Sequence, residues 1–316
     1  GNWSYTLDNE KWQDIKVPGS FDYEDQIVFQ RKISIDDALL SNFAFKFVAL
    51  GINNDAEIHI NDIFVGKHTG GYTKVEFDVP DGVLQLGSEN VIKVVVSSQL
   101  SARATLPVRK QIWGWKNYGG ILRDVYLLAT PKLWIESMNV SANLNGEFKQ
   151  GTFKVGATIS NRNFALLTHD STNTKSKPVS FSFSLEVQEK LSEAVIAQSV
   201  PVPLVLESNR DHEVQTSVVI SAPRLWSPEA PELYIIRAII TATDGKQRSV
   251  IDQFARNTGF RRLELNKADI IVNGTKRVLK GVVWHEDSPD YGGSLTYEQM
   301  EKDIALIKTL GANAVR

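Results

Sequence analysis

The chain has no cysteine. That absence excludes a disulfide framework, a thiol nucleophile and a Cys-ligated zinc. It leaves the compartment open, since many exported proteins also lack the residue. Charge of one sign is not in excess either: 35 Lys+Arg stand against 37 Asp+Glu, a formal −2. A general phosphate-backbone binder needs a basic surplus, and the basic residues here are dispersed, so no nucleic-acid partner is expected. No apolar run approaches the ~18 residues of a membrane span. The start, Gly1-Asn2-Trp3-Ser4, carries no signal-peptide pattern. Gly1 in place of Met raises the expectation of a processed or trimmed chain. A periplasmic or extracellular location is favoured if an export signal was removed, and the cytoplasm otherwise. There is no Walker loop, no G-x-G-x-x-G, no H-E-x-x-H and no G-x-S-x-G.

What is present is a globular composition. Hydrophobic residues make up 42% and charged ones 23%, which excludes a mostly disordered chain. At 316 residues, about two or three domains are expected. Residues 1–133 read as short strands. Val28–Ile35 and Phe43–Leu50 alternate with period two, the former with Phe29, Arg31, Ile33 and Ile35 on one face. Ala56–Ile60 and Ile63–Val65 flank Asn61-Asp62, residues that tolerate the positive φ of a two-residue hairpin turn. Thr73–Val79, Val91–Ser97 and Ile121–Ala129 are further strands. This is the pattern of an antiparallel jelly roll.

Residues 134–262 repeat the style with Ile135–Val140, Thr152–Ser160, Val179–Val187, Val214–Ser221, Leu233–Thr241 and Arg248–Phe254. Asp244-Gly245 marks a hairpin between the last two. About seven strands without a crossover helix fit an immunoglobulin-like sandwich. Thr168–Lys177 reads as a long polar loop.

Residues 263–316 change character. Asn273-Gly274 predicts a hairpin leading into an apolar strand, Val278–Val283. A loop, Trp284–Ser294, is followed by a helix over Tyr297–Leu310. Thr296 is its N-cap, with Gln299 completing a capping box. Met300, Ile304, Ile307 and Leu310 form its apolar stripe, and Gly311 ends it. Ala312–Val315 is extended again. Strand, helix, strand is the first step of a parallel α/β array, and parallel sheets are buried on both faces. The chain therefore reads as the cut start of a (β/α)8, or TIM, barrel, which needs roughly two hundred further residues to close.

The chemistry-bearing residues lie where such a strand ends, since barrel active sites gather at the C-terminal ends of strands. Trp284 offers an apolar face for a sugar ring. His285 offers a donor with a switchable charge. Glu286 and Asp287 offer acceptors, and Arg316 leaves the next strand nearby. The plainer alternatives are a loop anchor for His285 and a core-rim salt bridge for Arg316. A second cluster, Trp113-Gly114-Trp115-Lys116-Asn117-Tyr118-Gly119-Gly120, is either a sugar-stacking rim or a packing plug between domains.

Taken in order, several segments resemble glycoside hydrolase family 2, the group of β-galactosidases, β-glucuronidases and β-mannosidases. They are Val17-Pro18-Gly19-Ser20-Phe21-Asp22, Ile60-Asn61-Asp62-Ile63-Phe64-Val65-Gly66, Gly70-Gly71-Tyr72 and Phe77-Asp78-Val79. Further along come Gly119-Gly120-Ile121-Leu122-Arg123-Asp124-Val125, Leu225-Trp226-Ser227-Pro228-Glu229-Ala230-Pro231-Glu232-Leu233-Tyr234 and Gly259-Phe260-Arg261. Asn273-Gly274, Lys280-Gly281-Val282, His285-Glu286-Asp287 and Asn313-Ala314-Val315-Arg316 close the series. Each piece is short, and their order across the whole chain carries the resemblance.

The resemblance implies a retaining exo-β-glycosidase, most often a β-galactosidase. Its acid/base and nucleophile are two glutamates later in the barrel, with carboxyls ~5–5.5 Å apart. Neither belongs to these 316 residues, so this piece is expected to be inactive and to hold no catalytic residue of its own. His285 matches a barrel histidine that contacts a sugar hydroxyl, and Arg316 an arginine beside the site. Trp284, Asp287, Trp113 and Trp115 join them as expected substrate-binding residues. Gly114 stands about where galactosidases and glucuronidases often carry an Asp that reaches the sugar, which points to stacking in place of a polar contact. No cofactor is required by the sequence, and some relatives use Mg²⁺ or Na⁺. The expected partner is a β-glycoside, oligosaccharide or polysaccharide, with no nucleic acid and no membrane span, and a homo-oligomer is open. The competing reading is a non-catalytic carbohydrate-binding β-sandwich protein. Against it stands the segment 278–316, whose capped helix between two apolar strands has no use in a pure sandwich.

Overall fold

A computed structural model describes residues 2–22, 25–99, 116–162, 179–207 and 209–316. The chain opens with β1 (Asn2–Thr6), β2 (Gln13–Lys16), β3 (Gly19–Phe21), β4 (Gln26–Ile33) and a short helix α1 (Asp37–Asn42). There follow β5 (Phe43–Ala49), β6 (Ile52–Asn53), β7 (Asp55–Ile60), β8 (Ile63–Thr69), β9 (Val75–Val79), β10 (Asn90–Ser97), β11 (Gly119–Ile121) and β12 (Val125–Pro131). The second series is β13 (Leu133–Leu144), β14 (Gln150–Asn161), β15 (Ser180–Glu189), β16 (Val195–Gln198), β17 (Val202–Leu204), β18 (His212–Ser221), β19 (Tyr234–Asp244) and β20 (Gln247–Thr258). Then come β21 (Leu263–Asn266), β22 (Asp269–Val272), β23 (Thr275–Arg277), β24 (Gly281–Val282), α2 (Tyr297–Thr309) and β25 (Ala314–Val315). The chain divides into two compact units, residues 1–130 with 281–316, and residues 131–280.

In the first unit a six-stranded sheet, β2-β1-β4-β10-β7-β8, accompanies two three-stranded sheets, β3-β11-β6 and β12-β5-β9. Strand β10 shows why: Ile92, Val94 and Val96 are buried while Lys93 and Val95 between them are less so. That is the period-two signature of a strand with one face on a core. Phe29, Phe47, Ile58 and Ile121 meet it inside the sandwich. Asn61 and Asp62 take φ of 51° and 62°, and Ile60 pairs with Ile63, as the turn chemistry requires. Strand β4 departs from the expected one-faced pattern: Ile27, Val28 and Phe29 are all buried, in a strand that is central to its sheet, between β1 and β10. Ile35 falls outside it. Helix α1 was not expected. Asp36 caps it, accepting from the Ala38 N–H at 2.8 Å.

The expected strand Ile121–Ala129 is broken in two. Leu122 and Arg123 both donate their backbone N–H to the Gly51 carbonyl, at 2.9 and 3.2 Å, and Leu50 donates to Asp124 O at 2.9 Å. These bonds replace a regular ladder and turn residues 122–124 out of the sheet.

The second unit is a sandwich of β13-β14-β18 against β16-β15-β19-β20, with β17 also on β15. Phe153, Phe183, Leu185, Ile236, Ile240 and Phe260 fill its core. Phe153 stacks on Phe260 with ring centroids 4.0 Å apart. The buried Tyr234 hydroxyl accepts from the Arg224 N–H at 2.8 Å, which resembles the tyrosine corner of immunoglobulin-like sandwiches. Strands β16 and β17 pair with opposite ends of β15, so together they form one interrupted edge. Pro201 and Pro203 lack the N–H that a continuous ladder needs. β21-β22-β23 form a small antiparallel sheet.

The expected strand Val278–Val283 shrinks to Gly281 and Val282, which pair parallel with Ala314 and Val315. The hairpin at Asn273-Gly274 is closed instead by residues 275–277, which pair antiparallel with β22, and Val278 to Lys280 lie between the two ladders. The parallel β24–α2–β25 step itself is present as expected. Thr296 accepts from the Gln299 N–H at 3.2 Å, and Gly311 has φ 75°. Among the described residues no bond from the Thr296 N–H to Gln299 completes the capping box, and Gln299 Nε2 donates to Asp303 Oδ1 at 2.9 Å. No helix among the described residues is long and apolar enough to cross a membrane.

Candidate substrate-binding cleft

The site is built where β24 and β25 end. Arg316 N–H donates to Val282 O at 2.9 Å and Trp284 N–H to Arg316 O at 3.0 Å. The parallel ladder thus runs one step past each strand and sets Trp284 and Arg316 side by side. Trp284 Nε1 donates to Asp303 Oδ2 on α2 at 3.3 Å, which fixes the plane of the indole. Trp284, His285, Glu286 and Asp287 then line a cleft of about 440 Å³. Tyr72, Lys116, Tyr118 and Arg123 line it from the sandwich of the same unit.

The loop that follows is tied to itself and to the sandwich. Ser288 and Gly292 exchange backbone hydrogen bonds of 3.1 and 2.9 Å, and Ser294 Oγ donates to Tyr291 O at 2.8 Å. Ser20 Oγ reaches across to the same Tyr291 carbonyl at 2.7 Å. Arg123 Nη1 donates to Gly293 O at 2.9 Å, and Arg123 Nη2 pairs with Glu286 Oε2. Gly292 has φ 53°, and a Cβ there would stand 2.3 Å from Ser20 Oγ. Only glycine meets both demands.

Tyr118 is held from below. The buried Asn53 donates through Nδ2 to Asn117 Oδ1 at 3.1 Å and to Tyr118 O at 2.5 Å. Asn117 in turn donates to Ser98 O at 2.7 Å. Lys116 Nζ lies 2.8 Å from Asp22 Oδ2 and 5.3 Å from the Tyr118 ring centre. The Asp22 hydrogen bond holds the Lys116 ammonium above its usual range. The two cations of the cleft, Lys116 and Arg123, are therefore already neutralised. Among the described residues His285 and Asp287 have no hydrogen-bond or ion-pair partner. One offers a donor and the other an acceptor to whatever enters, with an indole beside them. Convergent polar groups beside an aromatic face are the features by which a pocket fixes a ligand's orientation and supplies apolar contact.

The structure brings Trp284, His285 and Asp287 together. Arg316 shares the ladder but is not among the residues lining the cleft. Trp113 and Trp115 lie outside the described residues. Lys116 and Tyr118 belong to the aromatic cluster read from the sequence as a rim or a plug, and both line the cleft, whereas Arg123 and Tyr72 were not singled out as site residues. The available signal was the charged Leu122-Arg123-Asp124 interruption in an otherwise apolar strand. Among the described residues no three of His, Asp and Glu converge as metal ligands.

Comparison with known proteins agrees in chain order. The sugar binding domain of glycosyl hydrolases family 2 matches residues 3–131, the central family 2 domain residues 134–261, and the family's TIM barrel domain residues 263–316. The chain belongs to glycoside hydrolase family 2. The β-galactosidase of Priestia megaterium is 30% identical over 267 residues, 84% of this chain and 24% of that protein. The β-galactosidase of Kluyveromyces lactis is 25% identical over 291 residues, 92% of this chain and 27% of its own length. This family 2 chain thus spans about a quarter of the curated relatives it matches. Among solved structures, a Bacteroides uniformis β-glucuronidase superposes with a TM-score of 0.84 at 21% identity, covering 100% of this chain and 38% of that one. A Bifidobacterium dentium β-glucuronidase complexed with coumarin-3-O-glucuronide gives 0.82 at 20% identity, covering 100% and 56%. The shared fold is a jelly-roll sugar-binding sandwich, an immunoglobulin-like sandwich and the start of a TIM barrel.

Proposed function

We propose that this chain is the sugar-recognising and barrel-opening part of a retaining exo-β-glycosidase that removes terminal β-linked sugars from glycans. The observation that carries this reading is the pairing of an unpartnered His285 and Asp287 with Trp284 at the C-terminal end of a parallel strand pair. Barrel enzymes assemble their chemistry at that end. In this reading His285 hydrogen-bonds a ring hydroxyl, Asp287 accepts from a neighbouring one, and Trp284 covers the apolar face of the sugar. Arg316, one step along the ladder, supports the same rim.

Bond breaking falls to two glutamates on later barrel strands. One acts as acid and then base, the other as nucleophile. These 316 residues on their own then hydrolyse nothing. Exposed leucines at the end of α2 support the same reading: Leu306, and Leu310 just past the helix, are 65% and 76% exposed, as a barrel helix would be before its neighbours cover it.

The test is a panel of aryl β-galactosides, β-glucuronides and β-mannosides offered to the full-length protein and to this chain alone. Turnover by the former and none by the latter is expected. Turnover by the isolated chain, or none by the full-length protein on any β-glycoside, contradicts the proposal.

A further inference from the structure

We propose that Arg123 is a positioning residue for His285: through its ion pair with Glu286, the first sandwich sets the direction of the barrel loop on which the sugar is read. This rests on the assignment of the cleft to sugar binding. Three observations on Arg123 support it. Its stem packs closely over Gly51, where a Cβ would sit 3.1 Å from Arg123 Cγ. Its backbone N–H is held by Gly51 O at 3.2 Å. Its guanidinium then serves three acceptors, Leu122 O and Gly293 O at 2.9 Å each and the Glu286 carboxylate.

Two of those acceptors bracket the loop. Glu286 is the residue after His285, and Gly293 lies near the loop's far end, with Ser20 holding Tyr291 between them. A planar guanidinium can span two such acceptors at fixed angles, whereas an ammonium acts as a point charge and cannot. The pair is not a stability device. Glu286 is half exposed, and pairs at such exposure add little to folding. What the pair fixes is where His285 points, and misplacement of about 1 Å in a sugar-contacting group costs on the order of 100-fold in rate.

The experiment uses the full-length protein with Glu286→Ala, Arg123→Lys, His285→Ala and the double variant Glu286→Ala/His285→Ala. Glu286→Ala removes a half-exposed carboxylate, so the variant folds. Its kcat/KM on the best aryl β-glycoside is expected to fall by roughly 10- to 100-fold. In the His285→Ala background the same change is expected to cost less than about twofold, because a positioning residue has nothing left to position. Arg123→Lys is expected to behave like Glu286→Ala rather than like the unaltered protein.

Hydrogen exchange gives a readout that needs no turnover. Amides of residues 284–293 should exchange at least about threefold faster in Glu286→Ala than in the unaltered protein. Unchanged exchange, or losses that simply add in the double variant, overturns the proposal. If the unaltered protein cleaves no β-glycoside, the glycosidase reading fails, and the exchange rates alone decide the clamp.

Discussion

Asp252 accepts the Ile135 N–H at 2.8 Å, joining β20 to the bulge in β13 between Ile135 and Ser137. Burial pushes its carboxyl above the ordinary range, and the hydrogen bonds from Ile135 and Gln253 only partly oppose it. A carboxyl raised in the folded state contributes stability that is complete below its unfolded pKa and lost as pH rises through the folded one. Asp252→Asn keeps an acceptor for Ile135 and cannot ionise. The variant is therefore expected to match the unaltered protein in urea midpoint near pH 3 and to exceed it near pH 7, around and above the ~3.9 of a free Asp. A variant weaker by the same margin at both pH values contradicts the assignment. At this scale the cleft was half legible. Trp284, His285 and Asp287 stand in a polar run after an apolar one, and such a run advertises itself. Arg123 did not, because its partner Glu286 is 163 residues away and period-two reading carries no long-range pairing.

Secondary-structure elements were legible where a local rule decides them. Asn61-Asp62 and Asp244-Gly245 mark two-residue turns, and the structure closes them at Ile60–Ile63 and Asp244–Gln247. Gly245 and Lys246 form the second turn, with Gly245 at φ 58°. Helix α2 was legible for the same reason, since cap, stripe and terminal glycine all lie within one window. Thr296→Ala removes the side-chain acceptor for the Gln299 N–H and is expected to cost about 1 kcal/mol. The loss should show as faster amide exchange over residues 297–300. Exchange equal to that of the unaltered helix would mean the cap is idle. Breaks imposed by distant backbone were not legible. Residues 122–124 leave their strand because Gly51 O and Leu50 N–H claim their hydrogen bonds. Residues 278–280 lie between an antiparallel ladder that ends at 277 and a parallel one that begins at 281, the latter set by a partner strand distant in sequence. The prolines that interrupt β16 and β17 were visible, but their pairing with a common partner was not.

At the scale of the molecule, one unit combines a sandwich with the first step of a parallel barrel. The order of weak motifs announced this architecture before any coordinate did, since three domain types in family order are hard to reach otherwise. The sandwich contributes Tyr118, Arg123 and Ser20 to the surroundings of a loop that belongs to the barrel. In this account it is part of the recognition site rather than an appendage beside it. The most direct test is the kinetics of His285→Ala in the full-length protein on its best aryl β-glycoside. The account predicts a fall in kcat/KM of roughly 10²-fold with the fold intact. An unchanged kcat/KM would show that His285 only anchors its loop and that the sugar is read elsewhere.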